Sequence, residues 1–140
     1  MKREQLQGKY PVFTTEISKG DCARKTTKEL MDFLTEKVES HPVAHFIAHF
    51  DHFSHTNSLD GGEIADGIVS AQILVFCFGK KLTNPLQLAV RPRSIGVAET
   101  EDRFILSFME APNPTFNDLM EGWIEESLRG SPRGIARFTP

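Results

Sequence analysis

Apolar positions along this chain follow two different periods, and the switches between them mark out the elements. Tyr10 to Ser18 (Tyr-Pro-Val-Phe-Thr-Thr-Glu-Ile-Ser) is β-branched and aromatic and predicts a strand, with Pro11 tolerated at its entry. From Thr26 the period lengthens. Thr26-x-x-Glu29 has capping-box spacing, and Leu30, Phe33, Leu34 and Val38 follow as one helical stripe that Pro42 stops near Ser40. Ala71 to Phe78 is an almost unbroken apolar run, which predicts a central, innermost strand covered on both faces. Ser94 to Glu99 and Arg103 to Met109 flank Thr100-Glu101-Asp102 as a hairpin. Asn113-Pro114 opens a second helix, whose stripe of Phe116, Leu119, Met120, Trp123, Ile124 and Leu128 ends at Gly130.

Between these elements the pattern weakens. Residues 1–9 are polar and are expected to fray, and Ser131 to Pro140 is expected to be a mobile tail. Asn57 to Gly67 reads as a loop turning at Asp60-Gly61-Gly62. Val43 to Phe53 fits both periods. As a helix it places Val43, Phe46, Ile47, Phe50 and Phe53 on one stripe; as a strand it alternates Ala44, Phe46, Ala48 and Phe50 with His45, Ile47, His49 and Asp51. The elements together predict a single α+β domain over residues 1–130. It has a mainly antiparallel sheet, one helix after the first strand, and a C-terminal helix packed on the sheet.

Composition narrows the class. Hydrophobic residues at 39% and charged residues at 25% place the chain among globular proteins. Eleven Phe against one Tyr and one Trp imply a core of rings that need no hydrogen-bond partner. A net charge of −3 supplies no overall attraction to nucleic acid or to anionic lipid, so neither partner is expected. The N-terminal residues contain no apolar leader and no run approaches the roughly 20 residues of a membrane helix, so a cytoplasmic protein is expected. Two cysteines are too few for a disulfide framework. Cys77, within the apolar run, is expected to be buried and inert; Cys22, among Lys19, Arg24 and Lys25, is the thiol in a setting that lowers a pKa.

The chemistry concentrates in one place. All five histidines, His41, His45, His49, His52 and His55, fall within fifteen residues. Neutral imidazole is a common ligand for borderline metals. His45, His49, His52 and His55 are therefore candidate ligands for a divalent transition metal, and Asp51 and His52 candidate groups for a small ligand. On a strand, His45, His49 and Asp51 share a face, which His52 and His55 reach only past a bulge or turn; on a helix, His45, His49 and His52 share one. No His-Glu-x-x-His or Cys-x-x-Cys motif accompanies them. The plainer alternative is an exposed strand face or a dimer contact. Asp51-His52 also suits acid/base chemistry, although neighbours on a strand point to opposite faces. Arg91, Arg93 and Arg103 suit an anion or a solvated strand face.

Four stretches recur in a recognisable order: Phe46-Ile47-Ala48-His49-Phe50-Asp51-His52, Ile73-Leu74-Val75-Phe76-Cys77-Phe78-Gly79, Thr83-Asn84-Pro85-Leu86 and Ile95-Gly96-Val97-Ala98-Glu99. Over residues 10 to 110 this order resembles the domain-of-unknown-function 302 family of small bacterial proteins. The resemblance implies an α+β fold with a mainly antiparallel sheet, often in a homodimer, and a strand for Val43 to Phe53. It implies no activity. Three features depart from it: a short Pro85–Ile95 connection with no room for the expected helix, a long Phe53–Ser70 loop, and the added C-terminal helix. The function expected first is binding of a metal ion or small ligand near residues 41–55. A homodimeric interaction module without catalysis comes second, and an acid/base enzyme using Asp51-His52 third.

Overall fold

The structure, a computed structural model, describes residues 1–130. In chain order the elements are β1 (Lys2–Leu6), β2 (Tyr10–Ser18), α1 (Thr27–Ser40), β3 (His45–Asp51), α2 (His52–Ser58) and β4 (Ile68–Cys77). A short 3-10 helix (Pro85–Val90), β5 (Arg93–Thr100), β6 (Arg103–Met109) and α3 (Pro114–Arg129) complete them. All strand pairs are antiparallel, and the spatial order is β1-β2-β6-β5-β4-β3. This is the expected α+β class, with the C-terminal helix packed on the sheet. None of the described helices is long and apolar enough to cross a membrane.

Local chemistry sets the helix ends. The Thr26 hydroxyl accepts from the Glu29 N–H at 3.0 Å, and the Glu29 carboxylate accepts from the Lys25 N–H at 3.1 Å. The first bond satisfies one of the backbone donors that the start of a helix leaves unpaired, and the second holds the residue before the N-cap. At α3 the Asn113 side chain accepts from the Thr115 N–H, Pro114 occupies the first turn, and Gly130 takes φ 82° just past the end. Both helices lie on one face of the sheet. Leu30, Leu34 and Val38 of α1 and Met120, Ile124 and Leu128 of α3 pack there with Leu74, Phe76, Ile95, Val97, Phe104 and Leu106. Lys37 and Glu126 tie the two helices at 2.6 Å.

Three expectations need correction. Residues 2–6 do not fray: they form the edge strand β1, because positive φ at Gln7 and Gly8 turns the chain back onto β2. β4 is not innermost, since β6 and β5 hold the centre and β4 lies next to the edge strand β3. It is buried on one face only: Leu74 and Phe76 point into the core, while Ile73 and Val75 are half-buried on the other side. The cysteines exchange places as well. Cys22 is in the core at 1% exposure, whereas Cys77 is half-buried and its Sγ accepts from the Gly79 N–H. The tail expected over residues 131–140 lies outside the described residues.

Candidate functional site

Register decides what the histidine segment can do. His45 pairs with Cys77 and Phe46 with Phe76, but Ala48 pairs with Val75, so Ile47 is an extra residue bulged out of β3. A one-residue insertion inverts every side chain beyond it. His45 therefore stands on the face away from α1 and α3, opposite Cys77. His49 and Asp51, opposite Leu74 and Gln72, stand on the helix-covered face. The shared face that simple alternation predicts for His45, His49 and Asp51 is broken.

Each remaining histidine has its own partners. His49 Nε2 lies 2.6 Å from the Thr35 hydroxyl, whose single proton goes to the Met31 carbonyl at 2.7 Å. Thr35 must then accept from His49, so the network assigns the ring proton to Nε2 and removes that nitrogen as a metal ligand. His41 follows the end of α1, accepts from the Val43 N–H through Nδ1, and stands edge-on to Trp123. His52 and His55 do come together, with ring centroids 6.1 Å apart and Phe50 beside both. Among the described residues no three His, Cys, Asp or Glu side chains are grouped to hold a metal ion.

Asp51 is the N-cap of α2. Its carboxylate accepts from the Ser54 N–H at 2.9 Å and the Ser54 hydroxyl at 2.8 Å. The Ser54 backbone bond, then the hydroxyl, hold the carboxyl below the ordinary aspartate range. His52, the next residue, turns its Nδ1 to the Thr56 hydroxyl at 2.9 Å. The adjacent acid and imidazole are thus committed to different partners.

α2 stands on the sheet face that α1 and α3 leave open, and it roofs a cavity of about 290 Å³. Ile68 and Ala71 of β4 form the floor; Phe53, Ile64 and Ala65 add apolar walls; His52, Thr56 and Glu63 supply polar groups. Gly62 makes the return of the loop possible. A Cβ there would overlap the Thr56 carbonyl oxygen, and the Gly62 N–H donates to the Leu59 carbonyl at 3.1 Å. A second, more polar cleft of about 400 Å³ lies on the other face between α1 and β4, with Lys28, Asp32, His49, Ser70 and Gln72 around it. The histidine segment thus contributes to two clefts, one on each side of the sheet. Sequence reasoning selected His52 but missed Thr56, Glu63, Ile64 and Ile68. The one available signal was Ile64, an isolated aliphatic just beyond a Gly-Gly turn.

The resemblance to the domain-of-unknown-function 302 family does not hold, because the family that matches the chain is a different one. The shared stretches are strand ends and a capped proline turn, which unrelated α+β chains reach through the same physics. The strand they implied for β3 is nevertheless present. No curated protein matches the chain. Matched over residues 1–129, from β1 to the end of α3, the chain belongs to the family of unknown function DUF6858.

Proposed function

We propose that the protein is a cytoplasmic small-ligand-binding module whose site is the cavity between α2 and β4. One observation carries this: among the described residues α2 stands alone on that sheet face, and the cavity beside it joins apolar walls to the polar residues His52, Thr56 and Glu63. Small-molecule sites combine an apolar lining with a few orienting polar groups in this way. Glu63 and His52 favour a small amphipathic molecule that carries an amine or hydroxyl. Asp51 acts as a positioning residue, since its cap on α2 sets where His52 and Thr56 stand. Acid/base catalysis by Asp51-His52 draws no support from two groups with separate partners.

The test is a titration of the ¹⁵N-labelled chain with a panel of small aromatic and aliphatic amines and alcohols. Shifts should cluster at Phe53, Thr56, Ile64 and Ala65, and should disappear in Ala71→Phe, which fills the floor. Scattered shifts, or shifts that survive Ala71→Phe, would sink the proposal.

Self-association is a second reading, favoured by the rest of the open face. There Leu6, Val12, Ile73 and Met109 surround Gly96 and Ser107 in a depression of about 390 Å³. A second copy is one way to cover it. Sedimentation velocity should then show a homodimer that Leu6→Asp with Met109→Asp dissociates. A single species near 15.7 kDa at all concentrations would exclude it.

A further inference from the structure

Between Asp66 and Glu99 the chain carries no acidic residue, while Lys80, Lys81, Arg91 and Arg93 all fall inside that interval. Local charge is strongly positive in a chain whose net charge is −3. Unlike Lys2, Arg3, Lys19, Lys28, Lys37 and Arg103, these four cations form no ion pair with a described carboxylate. Arg91 donates to the Lys81 carbonyl at 2.8 Å, and Arg93 donates to the carbonyls of Val90 and Met109. The two arginines close the neck of a loop and leave Lys80 and Lys81 in solvent.

The loop projects aliphatic side chains. Leu86 is 77% exposed, and Leu82 and Leu88 are 61% exposed. From Thr83 to Arg91, by contrast, its backbone donors are paired internally. The Gln87 side chain accepts from the Thr83 and Asn84 N–H groups, Asn84 accepts from Leu86 through its side chain, and the Asn84 carbonyl accepts from Gln87. Pro85 has no N–H to satisfy. A turn that carries Leu86 and Leu88 outward with its backbone donors paired inward enters a low-dielectric layer at little desolvation cost.

We propose that the loop from Lys80 to Arg93 docks the protein on an anionic lipid surface, with Leu82, Leu86 and Leu88 entering the headgroup boundary and Lys80 and Lys81 meeting the headgroups. Charge complementarity selects the partner. The cytoplasmic leaflet is anionic, and buried apolar area together with cations is the combination that holds a peripheral protein there. A protein partner fits less well, because protein hot spots favour Trp, Tyr and Arg over Leu and Val; this loop has no aromatic residue, and its Arg91 and Arg93 are turned to backbone carbonyls. The whole-chain charge, which argued against lipid, averages this segment away.

The experiment is co-sedimentation of the full chain with vesicles of phosphatidylcholine alone, and of phosphatidylcholine containing about one-third phosphatidylserine. Binding should require the anionic lipid and should be lost at about 1 M salt, where the Debye length falls to about 3 Å. Lys80→Ala with Lys81→Ala should weaken it about thirtyfold, the fold-change of two surface cations at about 1 kcal/mol each. Leu86→Ser with Leu88→Ser should weaken it by about tenfold or more. All four positions are exposed, so both variants should melt with the parent. Equal binding to neutral vesicles, indifference to both pairs of substitutions, or no binding to either vesicle would overturn the proposal. Binding to polyglutamate but not to vesicles would assign the loop to an acidic protein and overturn it equally.

Discussion

The two faces of one sheet make an instructive pair. On the helix-covered face, β4, β5 and β6 present Leu74, Phe76, Ile95, Val97, Phe104 and Leu106, every one buried. On the opposite face the same strands present Ile73, Val75, Ala98, Ile105 and Ser107, every one only half-buried. The two sets interleave residue by residue, yet only one is sealed from water. Apolar character alone therefore does not decide burial; the layer above does. The open face keeps small residues at its centre and one short helix at its side. That is where the molecule has room for a ligand or a partner.

The largest test of this contrast is a pair of core deletions. Phe104→Ala should cost about 3–5 kcal/mol, because it removes a fully buried ring from the core on the helix-covered face. Ile105→Ala, one residue along on the open face, should cost about 1–2 kcal/mol. Val75→Asp should be far milder than Leu74→Asp, since a carboxylate at Val75 reaches water. Urea denaturation measures all four. Equal losses at neighbouring positions would mean that the open face is covered in solution. Trp123, 6% exposed and packed against Phe76 and Phe78, should emit in the blue and resist acrylamide quenching, as a reporter of the sealed side.

A smaller effect probes the α2 side. Gly62→Ala should cost about 1–3 kcal/mol, because the added methyl meets the Thr56 backbone, which cannot swing aside as a side chain can. Amide shifts should move at Thr56, Ile64 and Ala65 and leave the signals of α1 and α3 in place. A stable variant with unmoved shifts at those residues would detach Gly62 from the geometry of the cavity.

How much of this was legible follows from the physics of each segment. α1 and α3 carry stripes of four to six apolar residues with caps at their starts, and both were placed to within a residue. β2, β5 and β6 were equally plain. β1 was not, because all five of its residues are exposed and its only neighbour is β2. α2, at seven residues with none buried, is too short to display a period. The bulge at Ile47 is invisible to pattern reasoning, since an isoleucine suits either face. The apolar run of β4 overstated its burial: hydrophobicity reports what a face tolerates and not what covers it. Of the site, His52 was legible as chemistry. The loop residues that complete the cavity are brought there by a turn at Gly61 and Gly62 whose direction the sequence does not encode locally.

Acid should also loosen the sealed side. Burial pushes the Glu99 carboxyl up, but hydrogen bonds from Lys19 and Thr27 outweigh it and leave the group below its ordinary value of 4.5. A depressed carboxylate contributes stability that is present above its unfolded pKa and lost as pH falls through the folded one. Melting temperature should therefore drop below about pH 4.5, and Glu99→Gln should flatten that part of the curve. An unchanged slope in Glu99→Gln would place the acid sensitivity elsewhere.

The smallest expected effect concerns metal. Any ion that binds only the native state raises stability by mass action, so Zn²⁺ or Ni²⁺ at neutral pH is a direct test of the histidine segment. Tight sites for these ions need three or four ligands. Here His45 is carried to the opposite face by the bulge, and His49 Nε2 holds a proton toward Thr35. Only His52 and His55 remain adjacent, and two exposed imidazoles make a weak site. The shift in melting temperature should stay below about 1 °C, which for a chain of this size is under about 0.3 kcal/mol. A shift of several degrees that His52→Ala with His55→Ala abolishes would overturn this, and would require further ligands from a second chain. The same variant run by sedimentation would then tell whether the metal and the dimer are one phenomenon, because a shared site loses both together.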